Sequence, residues 1–278
     1  MRIEVFPLPD LVPEDAAPDA AFFIDALRAT STMTVALDAG AQRIIPVADP
    51  QETLRLRDRM IADGAVSAEQ IRTGGERKGT RIAGFDFGNS PREYTPESVG
   101  GKTLLFSTTN GTRAILSLHA PTTRKFLASY LNAETVVERI LSERFPSVAI
   151  VCAGTDRQYT EEDLLLAGLL TDRLCERIER ENRALGHFGA EAEKIALNIQ
   201  AETVRYQWRE FFAAANADEN ADEKPFSLEK PLITALRASR GGKNLLAVGL
   251  GRDIPDVCRL DTLALLPEYR MGDIRADR

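Results

Sequence analysis

Short apolar runs alternate with segments of helical periodicity along most of the chain, and this alternation constrains the fold more than any other feature. Ala21-Ala-Phe-Phe-Ile, Gly101-Lys-Thr-Leu-Leu-Phe-Ser and Ser147-Val-Ala-Ile-Val-Cys are the right length for buried strands. Each feeds a polar turn and then a helical segment; after the second, for example, Ala114, Ile115 and Leu118 follow at helical spacing. The pattern calls for an α/β fold, a largely parallel or mixed sheet sandwiched between helices in three layers (α/β/α). With 278 residues the chain can bury a sizeable core, as a single α/β domain over residues 1–278 or as two sub-lobes. A polar, acidic connector is expected near residues 216–227.

Strands are expected at residues 2–8, 21–25, 43–47, 101–107, 125–129, 147–154, 244–250 and 263–267. Helices are expected over residues 30–40, 49–63, 133–144, 160–184, 187–215, 228–237 and 254–258, with another opening after Thr108. Asp49 is the natural N-cap before Pro50, and Thr160-Glu-Glu-Asp has the form of a capping box. Residues 73–96 read as one long loop with five glycines among Glu76, Arg77, Arg81, Asp86 and Asn89. Loops of this length are often functional, and glycine lets backbone approach a ligand closely.

A net charge of -7 argues against broad nucleic-acid or anionic-membrane binding. The N-terminus lacks the apolar core of a signal peptide, and no run approaches membrane-spanning length. Cys152, Cys175 and Cys258 are odd in number and widely spaced, which gives neither a disulfide framework nor a zinc pattern. A reducing cytoplasmic setting is expected, with a homodimer as the default assembly. Only His119 and His187 are present, so chemistry is expected to run on carboxylates, arginines and hydroxyls.

In open α/β sheets, ligands bind beyond the carboxyl ends of the strands. Three expected strand ends carry polar turns, at residues 25–32, 107–112 and 154–157, and parallel neighbours would bring them to one edge. A helix N-terminus beside Asp25 and Arg28 is suited to an anion. A phosphate-binding loop of the Gly-x-x-x-x-Gly-Lys-Ser/Thr type is absent. Cys152 precedes Arg157 by one residue too few for a cysteine phosphatase, and Asp25 lacks the second aspartate of the haloacid-dehalogenase type.

Ile24-Asp-Ala-Leu-Arg-Ala-Thr-Ser-Thr, Gly75-Glu-Arg, Gly84-Phe-Asp-Phe-Gly-Asn-Ser-Pro-Arg-Glu and Thr108-Thr-Asn-Gly-Thr-Arg-Ala resemble, in order, blocks of the 2-phosphosulfolactate phosphatase family. Val151-Cys-Ala-Gly-Thr, Glu162-Asp163 with Ala167-Gly168, and the segment from Gly251 to Cys258 continue the likeness. The resemblance implies a Mg²⁺-dependent phosphatase that releases phosphate from 2-phospho-3-sulfolactate, a step toward coenzyme M. Under that reading Asp25, Glu76 and Asp86 lead as metal ligands, with Asp156 next. Arg28 and Arg77 would hold oxyanions. Thr30, Ser31, Thr32, Thr108, Thr109, Asn110, Gly111 and Thr112 would cradle the phosphoryl group, with Asn89 and Ser90 also contacting substrate. Whether Asp25 is a ligand, a base or a nucleophile stays open at this point. Two other readings use the same pocket: a non-catalytic anion-binding protein, and an α/β scaffold that binds a partner.

Overall fold

A computed structural model describes residues 1–187, 189, 192–217 and 227–277. The acidic connector expected near residues 216–227 lies almost wholly outside the described residues. In chain order the strands are β1 (Arg2–Phe6), β2 (Ala20–Ile24), β3 (Arg43–Pro46), β4 (Ile71–Arg77), β5 (Thr80–Arg81), β6 (Thr103–Ser107), β7 (Arg124–Ala128), β8 (Ser147–Cys152), β9 (Ala196–Leu197), β10 (Leu266–Arg270) and β11 (Asp273–Asp277). The α-helices are α1 (Ala29–Asp38), α2 (Pro50–Ala62), α3 (Pro96–Val99), α4 (Gly111–Ser117), α5 (Ala133–Glu143), α6 (Glu161–Leu185), α7 (Ile199–Ala217), α8 (Glu229–Ala238), α9 (Arg240–Ala247) and α10 (Asp253–Val257).

All the strands join one mixed sheet in the order β5-β4-β6-β3-β11-β10-β7-β2-β8-β1-β9. Two parallel groups, β4-β6-β3 and β7-β2-β8-β1-β9, are joined by the antiparallel hairpin β10–β11. Side chains alternate across a strand, so the uniformly apolar β2 feeds two cores. Phe22 and Ile24 pack with Val136 and Ile140 of α5, Leu166 and Leu170 of α6, and Trp208 of α7. Ala21 and Phe23 pack on the other face with Met33 and Leu37 of α1 and Ile115 of α4. This is the three-layer α/β arrangement.

The helix α1 is buried along almost its whole length and touches β3, β7, β10 and β11. Its hydroxyls are therefore satisfied internally: Thr30 and Ser31 donate to the carbonyls of Asp25 and Ala26, and Thr34 to that of Thr30. In a flat sheet the ends of β2 and β4 would stand roughly 29 Å apart. Asp25, just past β2, and Glu76 of β4 nevertheless line one cleft. The sheet curls around α1.

Several expectations need correction. The expected loop at residues 73–96 begins as β4, which turns tightly into β5. Gly74 and Gly75 are strand glycines: Gly75 has φ +143, and a Cβ there would fall 1.9 Å from the Ser107 carbonyl oxygen on β6. Residues 238–243 and 244–250, expected as loop and strand, instead contribute α9, which Ser239 caps by accepting from the Gly242 amide at 3.2 Å. The last strand is a hairpin, β10–β11, rather than a single strand at 263–267. After Gly186 the helix starts only at Ile199. Thr160 is the N-cap of α6 without a side-chain cap bond, whereas Asp49 does cap α2, accepting from the Glu52 amide at 2.9 Å.

Candidate active site

A cleft of about 320 Å³ opens where the three polar turns meet. Asp25, Leu27 and Arg28 come from the β2–α1 junction, Thr109 and Asn110 from the turn after β6, and Thr155 and Asp156 from the turn after β8. Only β2 and β8 are neighbours in the sheet; the β6 turn arrives through the curl, because four strands separate β6 from β2. Gly111 marks the close approach: a Cβ there would sit 2.7 Å from Asp25 Oδ2 and 2.4 Å from Ala29 Cβ. Glu76, Lys78, Gly79 and Asn89 form a second wall, and residues of α9 and its C-terminus, including Gly241, Asn244 and Val248, form a third.

The first α1 amide, from Ala29, donates to Asp25 Oδ1 at 3.1 Å. Asp25 thus already occupies the helix N-terminus, where a negative charge is favoured. Burial nonetheless pushes the Asp25 carboxyl up to about 7, the Ala29 amide pulls it down, and the charges of Glu76 and Glu162 push it further up. Glu76 accepts from the Gly79 amide at 2.8 Å and the Thr109 amide at 2.9 Å, so it ties the β4–β5 turn to the β6 turn. Burial also raises Glu162 and Asp163. Asp163 joins the β2 and β8 turns by accepting from the amides of Ala26 and Gly154, at 2.9 Å and 3.0 Å. Against these acids stands Arg28, buried and paired through Nη1 with Asp253 Oδ2 at 2.5 Å, its Nη2 donating to the Gly79 carbonyl at 3.1 Å. The peptide bond between Leu27 and Arg28 is cis.

The structure brings Asp25, Arg28, Glu76, Asn89, Thr109, Asn110 and Asp156 together around the cleft. Other candidates are held elsewhere. Arg77 donates to the carbonyls of Glu76 and Ala48 and to Ser107 Oγ, and so pins β4. Asp86 accepts from the amide and hydroxyl of Thr73. Thr32 donates to the Asn89 carbonyl, and Ser90 to Asp253 Oδ1. Thr108 and Thr112 clasp each other, each amide donating to the other's hydroxyl at 3.0 Å.

The sequence profile of the family described as 2-phosphosulpholactate phosphatase matches residues 6–272. The chain belongs to the 2-phosphosulpholactate phosphatase family. It is 33% identical over 276 residues to the probable 2-phosphosulfolactate phosphatase of Clostridium acetobutylicum, covering 99% of this chain and 100% of that protein. It is 35% identical over 279 residues to the protein of the same name from Gloeobacter violaceus, covering 99% and 98%. A third, from Parasynechococcus marenigrum, is 44% identical over 176 residues, covering 63% and 70%.

In this family member two site residues escaped the sequence reading. Asp253, which orients Arg28, lies 225 positions from it along the chain, and only the packing of α10 in the folded chain brings them together. Lys78 was hidden inside a glycine-rich stretch that read as a loop. Whether the cleft suits a hard divalent cation can be judged from its donors. Among the described residues no three His, Cys, Asp or Glu side chains are grouped as a metal cluster. Mg²⁺, however, commonly takes only one or two carboxylates, completing its shell with water and substrate oxygens. Asp25 and Glu76 are buried carboxylates, and Asn89 Oδ1 is a buried oxygen with no hydrogen-bond partner among the described residues. Buried polar atoms are rarely left unpaired without a ligand or water. This all-oxygen set, in an excess of buried acids, fits Mg²⁺.

Proposed function

We propose that this protein is a phosphoric monoester hydrolase that converts 2-phospho-3-sulfolactate, or a closely related phosphorylated hydroxy acid, to the free hydroxy acid and phosphate. The observation that carries this reading is the convergence of Asp25, Glu76, Arg28 and Asn89 on one cleft, with Asn89 Oδ1 buried and unpartnered among the described residues. It is supported by a family match that runs over residues 6–272. A role in coenzyme M synthesis belongs to the same proposal.

Asp25, Glu76 and Asn89 Oδ1 would hold Mg²⁺. When bound, the ion offsets charge on the phosphoryl oxygens and makes a water more acidic. The chain's own residues supply the rest. Arg28, fixed by Asp253 and the Gly79 carbonyl, presents a pre-oriented guanidinium charge to the phosphoryl group. Asp25 orients the attacking water from a carboxylate already held by the Ala29 amide. The Glu76 link fixes the Thr109–Asn110 turn against the β4–β5 turn, so both walls keep their spacing as substrate enters. Leu27 of the β2–α1 junction, with Leu245 and Val248 of the wall formed by α9 and its C-terminus, limits the water around the reacting group. Asp86, Arg77, Thr30, Ser31, Thr32, Ser90, Thr108 and Thr112 support the walls.

The test is ³¹P NMR of 2-phospho-3-sulfolactate incubated with purified protein and Mg²⁺. The reading predicts conversion of the ester signal to inorganic phosphate. Ligand-induced shifts without turnover would instead favour a non-catalytic anion-binding protein.

A further inference from the structure

We propose that Lys78 is the specificity-determining residue that holds the substrate's sulfonate, an assignment that rests on the reaction proposed above. Lys78 and Gly79 form the two-residue turn between β4 and β5, closed by the pairs Arg77–Thr80 and Glu76–Arg81. Both turn residues have positive φ, 53 and 78. Hairpin turns of this kind favour Asn, Asp and Gly at the first of these positions, so a lysine there is not what the turn alone selects.

The turn is also tied into the site. The Gly79 amide donates to Glu76 Oε2, and its carbonyl accepts from Arg28 Nη2. Lys78 is therefore carried to the mouth of the cleft by the same turn that braces both Glu76 and Arg28. The two cations that line the cleft differ in their state. Arg28 is buried and its charge is matched by Asp253. Lys78 is exposed and makes no ion pair among the described residues.

The substrate's chemistry distinguishes the two positions. In 2-phospho-3-sulfolactate the phosphate ester and the carboxylate share one carbon, and the sulfonate lies on the next. The first two belong together at the deep end with Arg28, whose planar fork suits carboxylate and phosphate oxygens. The sulfonate projects away from the reacting phosphorus toward the mouth. A mobile ammonium matches its single, symmetrically spread charge without demanding a planar partner.

The experiment compares wild type, Lys78→Met and Lys78→Arg on 2-phospho-3-sulfolactate and on 2-phospholactate, which lacks the sulfonate. For Lys78→Met, KM for the sulfonated substrate rises on the order of tenfold, the size of one charge-assisted hydrogen bond. Its kcat stays within about twofold, and KM for 2-phospholactate changes by less than about twofold, because only uniform binding is lost. Lys78→Arg recovers most of the loss. An equal KM rise on both substrates, no rise on either, or a fall in kcat without a KM change would overturn the assignment alone. Wild-type protein that hydrolyses neither compound would overturn the reaction and the assignment together.

Discussion

At Asp25, burial and the charges of Glu76 and Glu162 oppose ionisation, while the Ala29 amide and Arg28 favour it, and the carboxyl settles at about 7 instead of the usual 3.8. Between these values the metal-free native protein keeps a proton that the unfolded chain has lost. The raised pKa therefore adds stability that is fully present below about pH 4 and is lost as pH rises through about 7. The full shift corresponds to roughly 4 kcal/mol. Asp25→Asn keeps an oxygen for the Ala29 amide and removes the titration. In EDTA its urea midpoint should exceed the wild-type midpoint at about pH 8, with the gap shrinking toward about pH 5; parallel pH profiles would contradict this. At Asp253 the expectation is opposite in sign. Asp253→Ala leaves Arg28 buried without its partner and should cost roughly 3–5 kcal/mol by chemical denaturation. Asp25 and Arg28 were legible in the sequence because strand, acid and helix start are contiguous there. Asp253 lay inside the Gly251–Cys258 block, but no local pattern announces that it partners Arg28 from a short helix near the other end of the chain.

Helix α9 forms one wall of the cleft through Gly241, Asn244, Leu245, Ala247 and Val248, and Ser239 caps its first turn. Ser239→Ala should cost about 1 kcal/mol in stability. Because α9 also shapes the cleft, the same change should raise KM more than it lowers kcat; an unchanged KM would separate the cap from the site. The sequence pointed the wrong way here. Asn244-Leu-Leu-Ala-Val-Gly-Leu is a short apolar run that periodicity alone cannot assign to strand or helix. Tertiary context decided it: Gly241, Gly242 and Leu245 are buried while residues 243, 244 and 246–248 are exposed, which is the spacing of one helix face. The stretch from residue 73 differs from its expected loop for a related reason. Glycines that signal a loop in sequence are, in β4, the positions where Tyr94, Phe106 and the Ser107 backbone press against the strand. Strands β2, β6 and β8 were legible because each is built on a run of apolar residues and is buried on both faces.

Across the whole molecule, the site depends on two parallel groups of strands that the hairpin β10–β11 holds together around α1. Nothing local in the sequence encodes that curl, since β11 meets β3 through Ile274 and Ile44, 230 positions apart. Ile274 is fully buried, and Ile274→Ala should cost roughly 2–5 kcal/mol. A near-neutral denaturation midpoint would mean that the hairpin does not join the two groups. The most direct test of the account as a whole is the initial rate of phosphate release from 2-phospho-3-sulfolactate as Mg²⁺ is added back to EDTA-treated protein. Wild type, Asp25→Asn and Glu76→Gln should be measured side by side, with circular dichroism confirming that each is folded. Mg²⁺ should restore the rate in wild type, and both variants should lose at least about a hundredfold. Full activity in EDTA, or in either folded variant, would contradict it.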